Sequence, residues 1–368
     1  MKYMNMLLLP IIGSFNRYEV LLLSFNMARD PLCRSGSSRY LHFSLFPKGV
    51  PSMSWNTKIT KLLDIDYPII QGGMAYISDG VLAAAMNHAG CAGVIGSGGF
   101  SVDEIRDHIR QAKDILGPGK CFGVNLMLQM PNKDDVAQLI CDEKVPFVTI
   151  GAGNPVPYFD PFHHAGVKCI PVVPNVKLAH RVQDAGADAL VVEGMEAGGH
   201  DGKITLMALL ENVLPEIEIP VVAAGGIVDG RAVAAALIMG ASGVQMGTRF
   251  LLSEECRLHP NAKQAIIDAA DTDSVVTGFT TRDTVRGLRN PFSEKYLKLE
   301  YSGAPQSELT ALSAGTNRKA VIDGDTENGF VLAGMSLTHL TKVQLVQEIV
   351  EELVSEAERR LTAAPKLI

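Results

Sequence analysis

One histidine and two glycine turns are the places where this sequence can be read for chemistry. His200 stands in the run Glu193-Gly194-Met195-Glu196-Ala197-Gly198-Gly199-His200-Asp201-Gly202, directly after an apolar segment. A single imidazole on a flexible, glycine-rich loop suits acid–base work near neutral pH. The other histidines, His42, His88 and His339 among them, have no comparable setting. The two turns are Ala223-Ala224-Gly225-Gly226-Ile227 and Gln245-Met246-Gly247-Thr248, each closing a short apolar run. Glycine there leaves backbone N–H groups open to an approaching phosphate, which a Cβ would shield. A following helix adds free amides. Thr248 adds a hydroxyl and Arg249 a charge. One such pair is an ordinary tight turn. Two of them, each ending a strand and lying about twenty residues apart, point to a ligand bearing a phosphate and say nothing more about it.

The elements that must position these residues read as an alternation of short apolar runs and helical patterns from Tyr67 onward. Strands are expected at Pro68–Gln71, Cys91–Gly96, Phe122–Leu126, Phe147–Ile150, Lys168–Val173, Ala189–Glu193, Pro220–Ala224 and Gly243–Met246. Helices fall between them, as at Gly80–Ala89, Val176–Ala185 and Gly230–Met239. The helix over Val102–Leu116 opens on Ser101 with Glu104 three residues later, a capping box. Eight such units predict an α/β fold, a closed (β/α)8 TIM barrel. An open doubly wound sheet would carry G-x-G-x-x-G after its first strand, where Gln71-Gly72-Gly73-Met74 stands instead. The barrel places both glycine turns after strands seven and eight, a common phosphate position, and His200 at the same rim. Asn125, on an otherwise apolar third strand, needs a ligand or a buried partner.

The flanks read differently. Residues 1–52 hold two apolar stretches, both shorter than a membrane span, and are expected to be a disordered or mis-started leader, with Met53 a plausible start. The barrel is assigned to 53–255, and a smaller, polar, helical substrate region without a strand–helix repeat to 256–335. The remainder, 336–368, holds an amphipathic helix, Lys342–Leu361, packed on the barrel. A net charge of −7 argues against nucleic acid. Six scattered cysteines without a zinc-like pattern suit reduced thiols in the cytoplasm. Glu193 and Glu196 lack a second ligand group at suitable spacing, so no catalytic metal is expected.

These segments together resemble the flavin-dependent enoyl-acyl-carrier-protein reductases of the FabK type, within the wider nitronate monooxygenase superfamily. The resemblance runs from about Thr57 to Leu361 and rests on Tyr67-Pro68-Ile69-Ile70-Gln71-Gly72-Gly73-Met74, Gly151-Ala152-Gly153-Asn154-Pro155, the Glu193–His200 run, Ala223–Ile227 and Gly247-Thr248-Arg249-Phe250, in that order. Ile170-Pro171-Val172-Val173-Pro174 and Glu193-Gly194-Met195-Glu196 look more like the reductase branch. The resemblance implies FMN across the barrel mouth, its phosphate on Gly225, Gly226 and the Gln245-Met246-Gly247-Thr248 turn. Gly72, Gly73, Met74, Asn125, Glu193 and Gly198 would contact its ring or ribityl chain. It also implies NADH as co-substrate, an enoyl-acyl-carrier-protein substrate, His200 as the catalytic histidine and a homodimer. Hydride addition builds enolate charge on the thioester oxygen, where a hydrogen-bond donor lowers the barrier. Oxidation of alkyl nitronates, with His200 as base, is the alternative within the same superfamily. One departure is Ala333-Gly334-Met335-Ser336, where the family commonly has Gln at the position of Met335. If Arg282, Arg286 and Arg289 lie on a helix they share one face, and with Lys295 and Lys298 they form a candidate dock for an acidic carrier protein.

Overall fold

The computed structural model describes residues 53–366, so the expected leader lies outside the described residues. Eight parallel strands close on themselves: β1 (Ile69–Gln71), β2 (Ala92–Ile95), β3 (Gly123–Met127), β4 (Phe147–Gly151), β5 (Lys168–Val173), β6 (Leu190–Glu193), β8 (Val221–Ala224) and β9 (Gly243–Met246). Closure is made by β9 against β1, with Ile69 opposite Val244 and Gln71 opposite Met246. Every barrel strand lies within a residue or so of its expected place. The reason is physical: strands buried on both faces read as short unbroken apolar runs, which punctuating glycines separate from the helices.

Alternating residues fill the barrel. Ile70, Val94, Ile170, Val191 and Val222 point into one interior cluster, and the outward set packs beneath the helices. A short helix, Lys58–Leu63, plugs the end from which the strands start, burying Ile59 and Leu63 in that interior cluster. The capping box on Val102–Leu116 forms as expected: Ser101 Oγ accepts from the Glu104 N–H, and the Glu104 carboxylate accepts from the Ser101 N–H at 2.7 Å.

The region after residue 256 carries the expected helices, Pro260–Asp268 and Pro291–Tyr301 among them, but two other expectations for the C-terminal third need correction. The region also contains a hairpin, β10 (Ser274–Thr277) and β11 (Val285–Leu288), and β11 also pairs antiparallel with the two-residue strand β7 (Gly199–His200). Arg282, Arg286 and Arg289 therefore do not share a helical face: Arg282 sits in the hairpin turn at φ 60° and Arg286 is buried on β11. The terminal helix begins at Val346 rather than Lys342, which leaves Val343 and Leu345 exposed. Its buried stripe, Val346, Ile349, Val350, Leu353, Val354 and Ala357, packs against Gly230–Met239. Contact there is close enough that a Cβ on Gly230 would stand 2.5 Å from the Leu353 carbonyl oxygen. Among the described residues no helix is long and apolar enough to cross a membrane.

Candidate active site

A cavity of about 600 Å³ opens at the C-terminal ends of the strands. Gly72, Gly73, Met74, Asn125, Glu193, Gly198, His200, Gly225, Gly226, Gln245, Met246, Gly247 and Thr248 all line it. The sequence-predicted residues thus converge on one site.

The phosphate end is built from backbone. β8 runs into Gly225 and Gly226, whose φ values of 103° and 71° lie in the left-handed region that a side chain disfavours. β9 runs into Gly247 and Thr248. The N–H groups of Gly225, Gly226, Gly247 and Thr248 donate no hydrogen bond within the protein, which is the donor set that a phosphate cradle requires. The turns are tied from outside by residues 334–336. The Gly334 N–H donates to Thr248 Oγ1 at 2.9 Å, and Ser336 Oγ donates to the Gly226 carbonyl at 2.7 Å. Thr248 keeps its own hydroxyl proton free. Arg249 does not join the cradle: it is buried and turned away, donating to Gln344 Oε1 at 2.9 Å and pairing with Glu352 at 3.3 Å.

The central part suits a flat polar ring system. Gln245 Oε1 is buried without a partner, and an orphaned acceptor of this kind is costly unless a ligand donor meets it. Asn125 donates through Nδ2 to Thr149 Oγ1 at 3.1 Å, which leaves its carbonyl oxygen for a ligand. Gly73 crosses so close to Asn125 that a Cβ would stand 2.5 Å from the Asn125 Cβ. Gln71 is fully buried and shapes the turn instead of facing the cavity: it accepts from the Val94 N–H at 3.1 Å and donates to Ser78 Oγ at 3.0 Å. The unpaired amides, the orphaned Gln245 oxygen and the glycine-lined floor together fit a flavin mononucleotide. Glu193 also borders this floor. Burial, reinforced by the negative charge of Asp201, pushes its carboxyl up to about 7, so near neutral pH it is partly protonated and able to donate a hydrogen bond.

The loop that carries His200 is pinned at several points, contrary to the expectation of a flexible one. Both Glu196 carboxylate oxygens accept from the Leu206 N–H, at 2.9 and 3.0 Å. The Glu196 carbonyl accepts from the Met335 N–H and the Met195 carbonyl from Arg286 Nε. His200 itself sits half exposed on the rim, its Nε2 3.1 Å from Asp283 Oδ1. Asp283, Arg286 and Ser336 were absent from the sequence-derived site. The hairpin had left a signal: β-branched runs, Ser274–Thr277 and Thr284-Val285, flank Gly278-Phe279-Thr280-Thr281-Arg282-Asp283. Part of the cavity lining is apolar, formed by Met127, Met130, Leu251, Leu258, Val321 and Leu332.

A second constellation lies at the opposite barrel end, before β5 and β6. His163, Cys169 and Asp188 bring their ligand atoms within 4.8 Å of one another. Asp188 is already engaged by the Cys169 N–H at 2.7 Å and by His163 at 3.0 Å, and burial pushes the Cys169 thiol well up. These contacts give it a structural account. The cysteines among the described residues are all free.

Known proteins match this arrangement. A family model described as nitronate monooxygenase matches residues 56–356. The structure of FabK from Thermotoga maritima superposes with a TM-score of 0.82 at 41% identity, covering 85% of this chain and 99% of its own. A probable nitronate monooxygenase from Staphylococcus saprophyticus is 30% identical over 82% of this chain and 98% of its own length. A Mycobacterium tuberculosis dehydrogenase acting on a hydroxy-methyl-oxo-octahydroindene carboxyl-CoA is also 30% identical, over 86% of this chain and all of its own. With its closed barrel and its continuous match, this chain is an oxidoreductase that belongs to the nitronate monooxygenase family.

Proposed function

We propose that the protein is an FMN-dependent, NADH-using reductase of enoyl thioesters carried by acyl carrier protein, the last step of a fatty-acid elongation cycle, acting as a cytoplasmic homodimer. The observation that carries this reading is the apolar lining of the cavity that His200 also borders. Leu251 and Leu258 with Val321 and Leu332 offer an acyl chain more apolar surface than a small, charged nitronate can use. The identity shared with the Thermotoga FabK supports the same branch.

When bound, FMN would supply hydride exchange between NADH and the substrate β-carbon. The protein's own tasks are placement and proton handling. The amides of Gly225, Gly226, Gly247 and Thr248 would hold the phosphate. Gly72, Gly73, Met74, Asn125, Glu193 and Gly198 would meet the ring or ribityl chain. His200 donates to the thioester oxygen as enolate charge develops and supports proton delivery to the α-carbon. Each turnover consumes one NADH and one proton and yields the saturated thioester and NAD+.

The test is direct. Purified holoenzyme should oxidise NADH only when crotonyl thioester is present. Oxygen uptake with propyl nitronate in the absence of NADH, and no crotonyl-dependent turnover, would assign the nitronate reaction instead. A colourless protein that takes up no FMN would remove both readings.

A further inference from the structure

One buried side chain joins the two ends of the His200 loop. Arg286, on β11, is 4% exposed. Its Nε donates to the Met195 carbonyl at 2.9 Å, Nη1 donates to Ser274 Oγ at 3.1 Å, and Nη2 lies 3.5 Å from Asp201 Oδ2. The Asp201 side chain is 3% exposed, and its Oδ1 has no partner. A guanidinium stripped of water is tolerated only where fixed acceptors replace its hydration. Here those acceptors stand near the start of the loop, at Met195, and at its end, at Asp201. His200 lies between them, one residue before Asp201, and pairs in register with Val285, one residue before Arg286. The planar fork fixes the spacing of the groups it binds, which a lysine cannot do.

We propose that Arg286 is a positioning residue, whose guanidinium spans Met195 and Asp201 and so sets the placement of the His200 imidazole against the substrate. The inference rests on His200 being the acid–base group of the proposed reaction. Arg286 itself touches neither substrate nor cofactor. Its removal should therefore leave the phosphate cradle, and the reaction between NADH and bound flavin, intact. It should slow only the step in which the enoyl thioester reoxidises the enzyme.

The experiment follows both half-reactions in rapid mixing on holoenzymes of the wild type, Arg286→Met, Arg286→Lys, His200→Ala and the double variant Arg286→Met/His200→Ala. Arg286→Met should keep its flavin absorbance, be reduced by NADH within about twofold of the wild-type rate, and be reoxidised by crotonyl thioester about a hundredfold more slowly. The double variant should be no slower than His200→Ala alone, since residues acting as one unit are not additive. Amide exchange over 195–201 should quicken in Arg286→Met and stay unchanged in His200→Ala. Reoxidation of Arg286→Met at the wild-type rate, or additive losses in the double variant, would overturn the inference. If Arg286→Met fails to fold, Arg286→Lys carries the same comparison with its charge retained. Normal reoxidation by His200→Ala would instead sink the reading of His200, and the inference with it.

Discussion

The two sides of the cavity are built by different means. On the phosphate side, the donors are backbone amides at the ends of β8 and β9, neighbours in both sequence and sheet, and the only side chains needed are those that tie the turns down. On the side proposed to carry the reaction, the groups are side chains from segments far apart in the chain. His200 follows β6, its partners Asp283 and Arg286 come from the hairpin, and the apolar wall draws on the barrel loops and on residues 317–332. A cradle of amides is robust because it asks only for a short turn with no Cβ in the way. A side-chain site asks for tertiary docking, and its parts can change while the cradle stays. Relatives described as nitronate monooxygenase, FabK and a CoA-ester dehydrogenase, all matching this one chain, agree with that division.

The sharpest way to break the comparison is on the cradle itself. Gly225→Val places a branched side chain at φ 103°, with its Cβ 2.9 Å from the Gly194 carbonyl oxygen. It should weaken flavin binding by at least about a hundredfold, read as colourless protein and by fluorescence titration. Next in size, His200→Ala should keep its flavin and its reduction by NADH yet lose about a hundredfold or more in thioester-dependent turnover. Loss of flavin from that variant would mean that the two sides are not separable.

Glu193 gives a smaller effect with a defined pH dependence. Its carboxyl titrates near 7 in the folded protein, above its ordinary value. The folded state therefore holds this proton more tightly than the unfolded chain does, and stability falls as pH rises from about 4.5 toward 7. Glu193→Gln removes that loss. Its apoprotein should be more stable than wild type at pH 8, by about 1–3 kcal/mol in urea unfolding, with the difference vanishing below about pH 4. A constant difference across that range would show that Glu193 is not the titrating group. The smallest effect belongs to Ser336→Ala. It removes the hydrogen bond to the Gly226 carbonyl and should cost about 1 kcal/mol, a few-fold in flavin affinity, with thioester turnover at saturating flavin unchanged.

The same division explains what was legible before the fold was known. All eight barrel strands were visible because each is a short, mainly apolar run, and most are closed by glycine or a polar residue. The cradle was visible because each of its two turns is a run of four or five consecutive residues, Ala223–Ile227 and Gln245–Thr248. The hairpin was missed because its strands are only four residues long, and because β11 is placed through pairing with Gly199 and His200, some 85 residues away, as the register of Arg286 with Gly199 shows. Helical spacing misread Arg286 for the same reason. Three arginines four and three apart look like a solvated helical face until one is seen to hydrogen-bond to the Met195 carbonyl. Arg249 failed as a phosphate ligand because Gln344, just before the terminal helix, and Glu352, on it, compete for it, and sequence adjacency to a glycine turn carries no information about those competitors.

The antiparallel ladder between β7 and β11 bears on how new activities are made from this scaffold. It makes the hairpin and the loop at 194–202 a matched pair, like the two halves of a mould. Transplanting residues 274–288 alone from another relative should leave His200 without its register. Exchanging both segments together should move a reaction between relatives while the barrel and its flavin cradle stay as they are.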